Sequence, residues 1–181
     1  AEAIRPGPVR FVFPEKVIGF KNGAIGFQGP AFSADRGLNW NWMGTQNVDG
    51  NAFTYDFAKA GDRIQFAVSI PYTRRNLNAF ILGNVNNAHL GKIVLTKSRN
   101  GREVVALQIG KAAPGREPVL VTGRHHAAET MASFLLEGFL QEAMSDSPAG
   151  KAFRSKHVLF ALPLVDTCLL YTSPSPRDSS P

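Results

Sequence analysis

Up to about Pro71, apolar side chains occur in short runs or alternate strictly with polar ones. Residues 9–13, 17–20 and 24–27 are short apolar runs, while Phe53, Tyr55 and Phe57 alternate with polar neighbours, as do Ile64, Phe66, Val68 and Ile70. Gly, Pro and Asn punctuate them. A period of two with one apolar face fits antiparallel strands whose sheets pack face to face. No stretch before residue 72 has a helical period. The pattern predicts an antiparallel β-sandwich domain over residues 1–72.

After Tyr72 the pattern changes. Residues 76–82 (NLNAFIL) read as a short helix that stops at Gly83 and Asn84. Residues 93–96 and 104–109 flank a turn with Asn100 and Gly101, a dipeptide that tolerates positive φ and closes hairpins. Residues 119–122 read as a buried strand. The next segment is predicted to be a helix with Met131, Phe134, Leu135, Gly138 and Phe139 on its core face. Residues 157–162 form another apolar, strand-like run. Strand, helix and strand in succession argue for a βαβ unit in an α/β mixed sheet over residues 73–166.

Beyond Asp166 the composition shifts to CLLYTSPSPRDSSP, with Pro174, Pro176 and Pro181 among serines. Its first eleven residues resemble the in-frame translation of a transposase sequencing adapter. Residues 167–181 are therefore expected to be a non-native, disordered tail, with the natural coding sequence interrupted near Asp166. The opening AEAIRPGPVR lacks an initiating Met, so the natural N-terminus is expected further upstream.

Composition narrows the classes. The chain has 181 residues, 44% of them hydrophobic, which is enough for a packed core and argues against disorder. No apolar run approaches the roughly 18 residues needed to span a bilayer, so no membrane partner is expected. Twenty Lys and Arg against 14 Asp and Glu give a formal charge of +6. The basic residues are scattered, with Arg74 and Arg75 the only adjacent pair, so a solvated surface is preferred to a nucleic-acid face. A single cysteine, Cys168, excludes an internal disulfide and a multi-cysteine metal site, and in the foreign tail it carries no function. Trp40 and Trp42 could stack a ligand, but at spacing two they more often face a core or a domain interface.

The candidate chemistry lies in Gly123-Arg124-His125-His126-Ala127-Ala128-Glu129-Thr130, between the predicted strand and its helix. An imidazole and a carboxylate three positions apart on such a turn can point His126 and Glu129 at one cation, with the two small alanines permitting close approach. The spacing alone leaves a second reading open, in which Glu129 is a helix-start acid favoured by the macrodipole and His126 an ordinary loop residue. Arg124 and His125 are candidate second-shell residues; His125 more naturally faces solvent or packs, and Arg124 either lines the cleft, pairs with a carboxylate or is structural. His89 and His157 look ordinary, and Arg154 is expected to have a fixed structural partner.

The wider segment RHHAAETMASFLLEGFL resembles the first metal motif of the cytosolic carboxypeptidases, typically RQHPGE followed by Thr, small residues and EGF or EGL. SIPYTRRNLNAFI is similar to that family's PY-containing junction between its β-sandwich and peptidase domains, and FR followed by VLFALPLVD resembles the approach to its NPDG stretch. The resemblance covers about residues 50–166. It departs where Ala127-Ala128 replaces Pro-Gly and where Asp166 stands for the Asn that opens NPDG.

The resemblance implies a zinc metallocarboxypeptidase that removes C-terminal residues, possibly glutamates, from peptides or proteins. His126 and Glu129 would hold Zn²⁺, with a second histidine, substrate-gripping arginines and a general-base glutamate all supplied downstream of this chain. The chain as given would then be an inactive fragment. Competing readings are a zinc deacylase or amidase of the aspartoacylase type, which typically lacks a leading β-sandwich, and a non-catalytic peptide- or glycan-binding module. Oligomeric state stays open, as does localisation, with the cytoplasm favoured.

Overall fold

The computed structural model describes residues 1–13, 25, 28–126 and 129–165. The expected runs 17–20 and 24–27 lie outside them save for Ile25, as do Ala127, Ala128, Asp166 and the tail 167–181 with Cys168. The chain divides into two compact units, Ala1–Pro71 and Tyr72–Pro181.

Among the described residues of the first unit there are six short strands: β1 (Gly7–Val12), β2 (Ala31–Ser33), β3 (Asn41–Trp42), β4 (Val48–Asp49), β5 (Ala52–Phe57) and β6 (Gln65–Ala67). They form two three-stranded antiparallel sheets, ordered β1-β5-β4 and β3-β2-β6. Rings from the two sheets meet. Phe66 of β6 lies 5.1 Å from Phe11 of β1, and 5.0 and 5.3 Å from Phe53 and Tyr55 of β5. Phe32 of β2 meets Tyr55 edge-on at 5.4 Å. Offset and edge-to-face geometry of this kind is what aromatic quadrupoles favour.

Two expectations for this unit need correction. The alternation from Ile64 to Ile70 gives only a three-residue strand: Ile64 is buried, but Val68 is 52% exposed beyond the end of β6. Trp42 does not face a core, because β3 is a two-residue edge strand and the next residue, Met43, is the one that turns inward. Trp40 is half-buried, its indole N–H donating to the Gly37 carbonyl at 3.2 Å.

The second unit contains α1 (Arg74–Gly83), β7 (Leu90–Lys97), β8 (Glu103–Ile109), β9 (Glu117–Thr122), α2 (Thr130–Met144), α3 (Pro148–Lys156) and β10 (His157–Leu162). At the start of α1, the Asn76 side-chain oxygen accepts from both the backbone N–H and the hydroxyl of Thr73, at 2.8 and 2.7 Å. The turn at Asn100-Gly101 closes the β7–β8 hairpin, with Gly101 at φ 75°. The sheet order is β7-β8-β10-β9. β10 runs antiparallel to β8 and parallel to β9, in register from His157 opposite Glu117 to Leu162 opposite Thr122. Tyr72, Leu107, Ile109, Leu140, Leu159 and Leu164 are the fully buried heart of this unit.

Of the predicted core face of α2, Phe134 packs against the core, but the rest of its large side chains point outward. Met131, Leu135 and Phe139 are 55, 76 and 40% exposed, whereas Thr130, Ser133, Leu136, Leu140, Ala143 and Met144 are buried. Bulk misled the prediction: α2 carries large apolar residues on two sides, and the small Ser133 and Ala143 belong to the side that lies close to the sheet. Ser133 completes the fit by donating its hydroxyl to the Pro163 carbonyl at 2.6 Å. α3 was not predicted, although Ser147 and Pro148 signal it. The Ser147 hydroxyl caps the Gly150 N–H at 2.9 Å, and Pro148 occupies the first turn, where a missing N–H costs nothing.

Candidate metal centre

The parallel pairing of β9 with β10 delivers the loop 123–129 at the carboxyl end of two strands, where open α/β sheets present their ligand sites. Gly123 starts the loop while still in the sheet's bonding pattern. Its N–H donates to the Leu162 carbonyl at 2.9 Å, and its own carbonyl accepts from the Val165 N–H at 3.2 Å. A Cβ at Gly123 would come within 2.9 Å of the Leu136 side chain, so the missing side chain lets α2 sit against the strand end.

Arg124 then turns the chain. It adopts φ 57°, a left-handed conformation rare outside glycine, and its side chain is buried at 4% exposure. Its Nη1 donates to the Tyr72 carbonyl, and its Nε has no hydrogen-bond partner among the described residues. Burial pulls the guanidinium down from its ordinary value, opposed by the charge of Glu129. Arg124 is therefore a buried strut that ties the loop to Tyr72.

Beyond that strut, the loop closes on itself. The Glu129 N–H donates to the His126 carbonyl at 3.2 Å, and Glu129 Oε2 accepts from the backbone N–H groups of His125 and His126 at 3.1 and 3.2 Å. Two amides thus hold the carboxylate over the same turn that carries the His126 imidazole. Both residues are exposed. The His125 ring turns back to the strand, its Nε2 2.8 Å from the Thr122 hydroxyl. His89 and His157 lie at the other end of the sheet, His157 Nδ1 standing 3.9 Å from a Glu117 carboxylate oxygen. Arg154 has fixed partners: its Nη1 donates to the carbonyls of Ala143 and Ser145, each at 2.6 Å.

An imidazole and a carboxylate are ligand types that Zn²⁺ takes, and a loop that presents both outward fits part of a zinc shell. Among the described residues no third His, Cys, Asp or Glu joins them in a group able to hold a metal.

Sequence reasoning missed the support beneath the loop. The Tyr72 hydroxyl donates to Glu137 Oε1 at 2.7 Å, and the Tyr72 ring meets Phe134 edge-on at 5.0 Å. Burial, then the bond to Glu137, raises the Tyr72 hydroxyl far above its ordinary value, and burial likewise raises Glu137. Tyr72 therefore joins α2 through its hydroxyl and Arg124 through its carbonyl. The only signals were the PY and EGF patterns, which carry no hint that the two residues meet.

Comparison with known proteins bears on the same region. Cytosolic carboxypeptidase 2 of Xenopus tropicalis is 25% identical over 157 residues, covering 74% of this chain and 16% of that protein. The Danio rerio protein of the same name is 28% identical over 124 residues, covering 63% of this chain and 17% of the relative. The chain thus spans about a sixth of the length of these relatives. Among solved structures, a metallo-carboxypeptidase from Burkholderia cenocepacia matches with a TM-score of 0.72 at 18% identity, over 92% of this chain and 44% of its own. One from Pseudomonas aeruginosa matches with a TM-score of 0.65 at 21% identity, over 81% and 39%. At these identities the structures show a shared fold. The model of the zinc carboxypeptidase family matches residues 85–167, a stretch that runs from before β7 through β10 and includes both His126 and Glu129.

Proposed function

We propose that this chain is the leading part of a zinc-dependent metallocarboxypeptidase, in which residues 1–72 form a β-sandwich domain and residues 73–166 open the catalytic domain. The observation that carries this reading is the loop between β9 and α2, which brings His126 and Glu129 onto one turn inside the family-matched stretch. His126 and Glu129 would hold Zn²⁺. When bound, the metal would supply a Lewis acid for the scissile carbonyl and an acidified water as nucleophile. The chain's own residues act by placement. The amides of His125 and His126 fix the Glu129 carboxylate, Arg124 anchors the loop to Tyr72, and the Thr122 hydroxyl holds the His125 ring.

The second histidine, the residues that grip the substrate carboxylate and the general-base glutamate would come from sequence outside this chain, which alone would not turn over substrate. The substrate would be the C-terminus of a peptide or protein, with glutamate as the residue removed. The names of the relatives favour a cytosolic setting. Among the described residues no helix is long and apolar enough to cross a membrane.

Zinc binding by the chain tests the site. Titration against a chromophoric chelator should show one saturable Zn²⁺ site, weakened about tenfold or more by His126→Ala and by Glu129→Ala. Affinity undiminished from the parent in both variants would remove the assignment.

A further inference from the structure

A cavity of about 440 Å³ opens at the end of the second unit's sheet opposite the metal loop. Strand register gives its position. Arg116 immediately precedes β9, whereas the metal loop follows Thr122 at the strand's far end, roughly 20 Å away at about 3.3 Å per residue. The lining includes Lys111 and Arg116 from the β8–β9 connection, Lys151 and Arg154 from α3, and His89 ahead of β7, with no carboxylate among the lining residues.

The cations differ in their commitments. Arg154 is buried, bonded to two carbonyls and 3.6 Å from an Asp146 carboxylate oxygen, so it is part of the wall. Lys111, Arg116 and Lys151 have no carboxylate partner among the described residues. Arg116 Nη1 donates to the Lys111 carbonyl at 2.9 Å, which curls the connection so that both residues stand on one wall, while Lys151 faces from the helix. Like charges gathered around one concavity repel each other unless an anion sits among them.

We propose that this cavity binds a small multivalent oxyanion of the phosphate or pyrophosphate kind. Its volume is that of a small-molecule site, and cations converging from separate segments suit a compact multiply charged group better than an extended acidic chain, which needs a long basic stripe. The inference does not depend on the carboxypeptidase reading, since no cavity residue belongs to the metal loop.

Isothermal titration of the 181-residue chain with inorganic pyrophosphate tests it. The expected result is one saturable site, weakened roughly tenfold or more in the double variant Lys111→Ala/Lys151→Ala, retained in Lys151→Arg, and unchanged in His126→Ala. Lys111 and Lys151 are exposed, so the double variant should keep the circular-dichroism spectrum of the parent. The proposal is overturned by absence of saturable binding, by undiminished affinity in the double variant, or by a hexaglutamate peptide binding where pyrophosphate does not.

Discussion

Glu137 shows how one side chain can matter through its surroundings. Two influences on its carboxyl oppose each other: burial favours the protonated acid, and the Tyr72 hydroxyl favours the carboxylate, with burial the stronger. Its value in the folded chain therefore lies above the ordinary 4.5. The associated stability is fully present below the ordinary value and is lost as pH rises through the folded one. Glu137→Gln cannot ionise, so its melting temperature should fall less than the parent's as pH is raised from 4.5 to neutrality. Parallel curves for the two proteins would refute the shift. The contrast with Glu129 shows what a sequence discloses at this scale. His126 and Glu129 meet because they are three positions apart on one turn, a local relation that spacing reveals. Tyr72 and Glu137 are 65 positions apart, and only the folded chain brings them together. The left-handed backbone at Arg124 was equally hidden, because nothing about arginine calls for it.

Between elements, α3 lies close against the end of α2 at Gly150. A Cβ on Gly150 would lie 2.6 Å from the carbonyl oxygens of both Glu142 and Ser145, main-chain atoms with little room to retreat. Gly150→Ala should therefore destabilise the second unit by about 1–3 kcal/mol in urea denaturation. Gly138→Ala, in the middle of α2 with open space around it, should be neutral or stabilising by up to about 1 kcal/mol and serves as the control. Most strands and the β7–β8 hairpin were legible in the sequence, because period-two alternation and Asn-Gly report local geometry. The buried face of α2 was not: a helix apolar on two sides does not announce which side meets the sheet. α3 was overlooked for a related reason, since KAFRSK has little apolar periodicity and its capping signals were the only readable trace.

Across the whole molecule, the outer face of α2 is the plainest liability. Met131, Leu135 and Phe139 stand exposed one turn apart along the helix, and contiguous apolar surface promotes association. Leu135→Glu should lower light scattering of concentrated chain while changing unfolding free energy by no more than about 0.5 kcal/mol. A larger loss of stability would mean that Leu135 is in fact packed. The order of the sheet carries a different consequence. β10, the last strand in sequence among the described residues, lies between β8 and β9. During synthesis the β7–β8 hairpin can form early, but β9 has no place to dock until residues 157–162 have left the ribosome, leaving Leu107 and Ile109 without the layer that Leu159 and Ala161 complete. Late closure of a central slot prolongs the exposure of unpaired strand edges. The nascent chain should therefore depend on chaperones for longest over the interval in which α2 and α3 are already made and β10 is not.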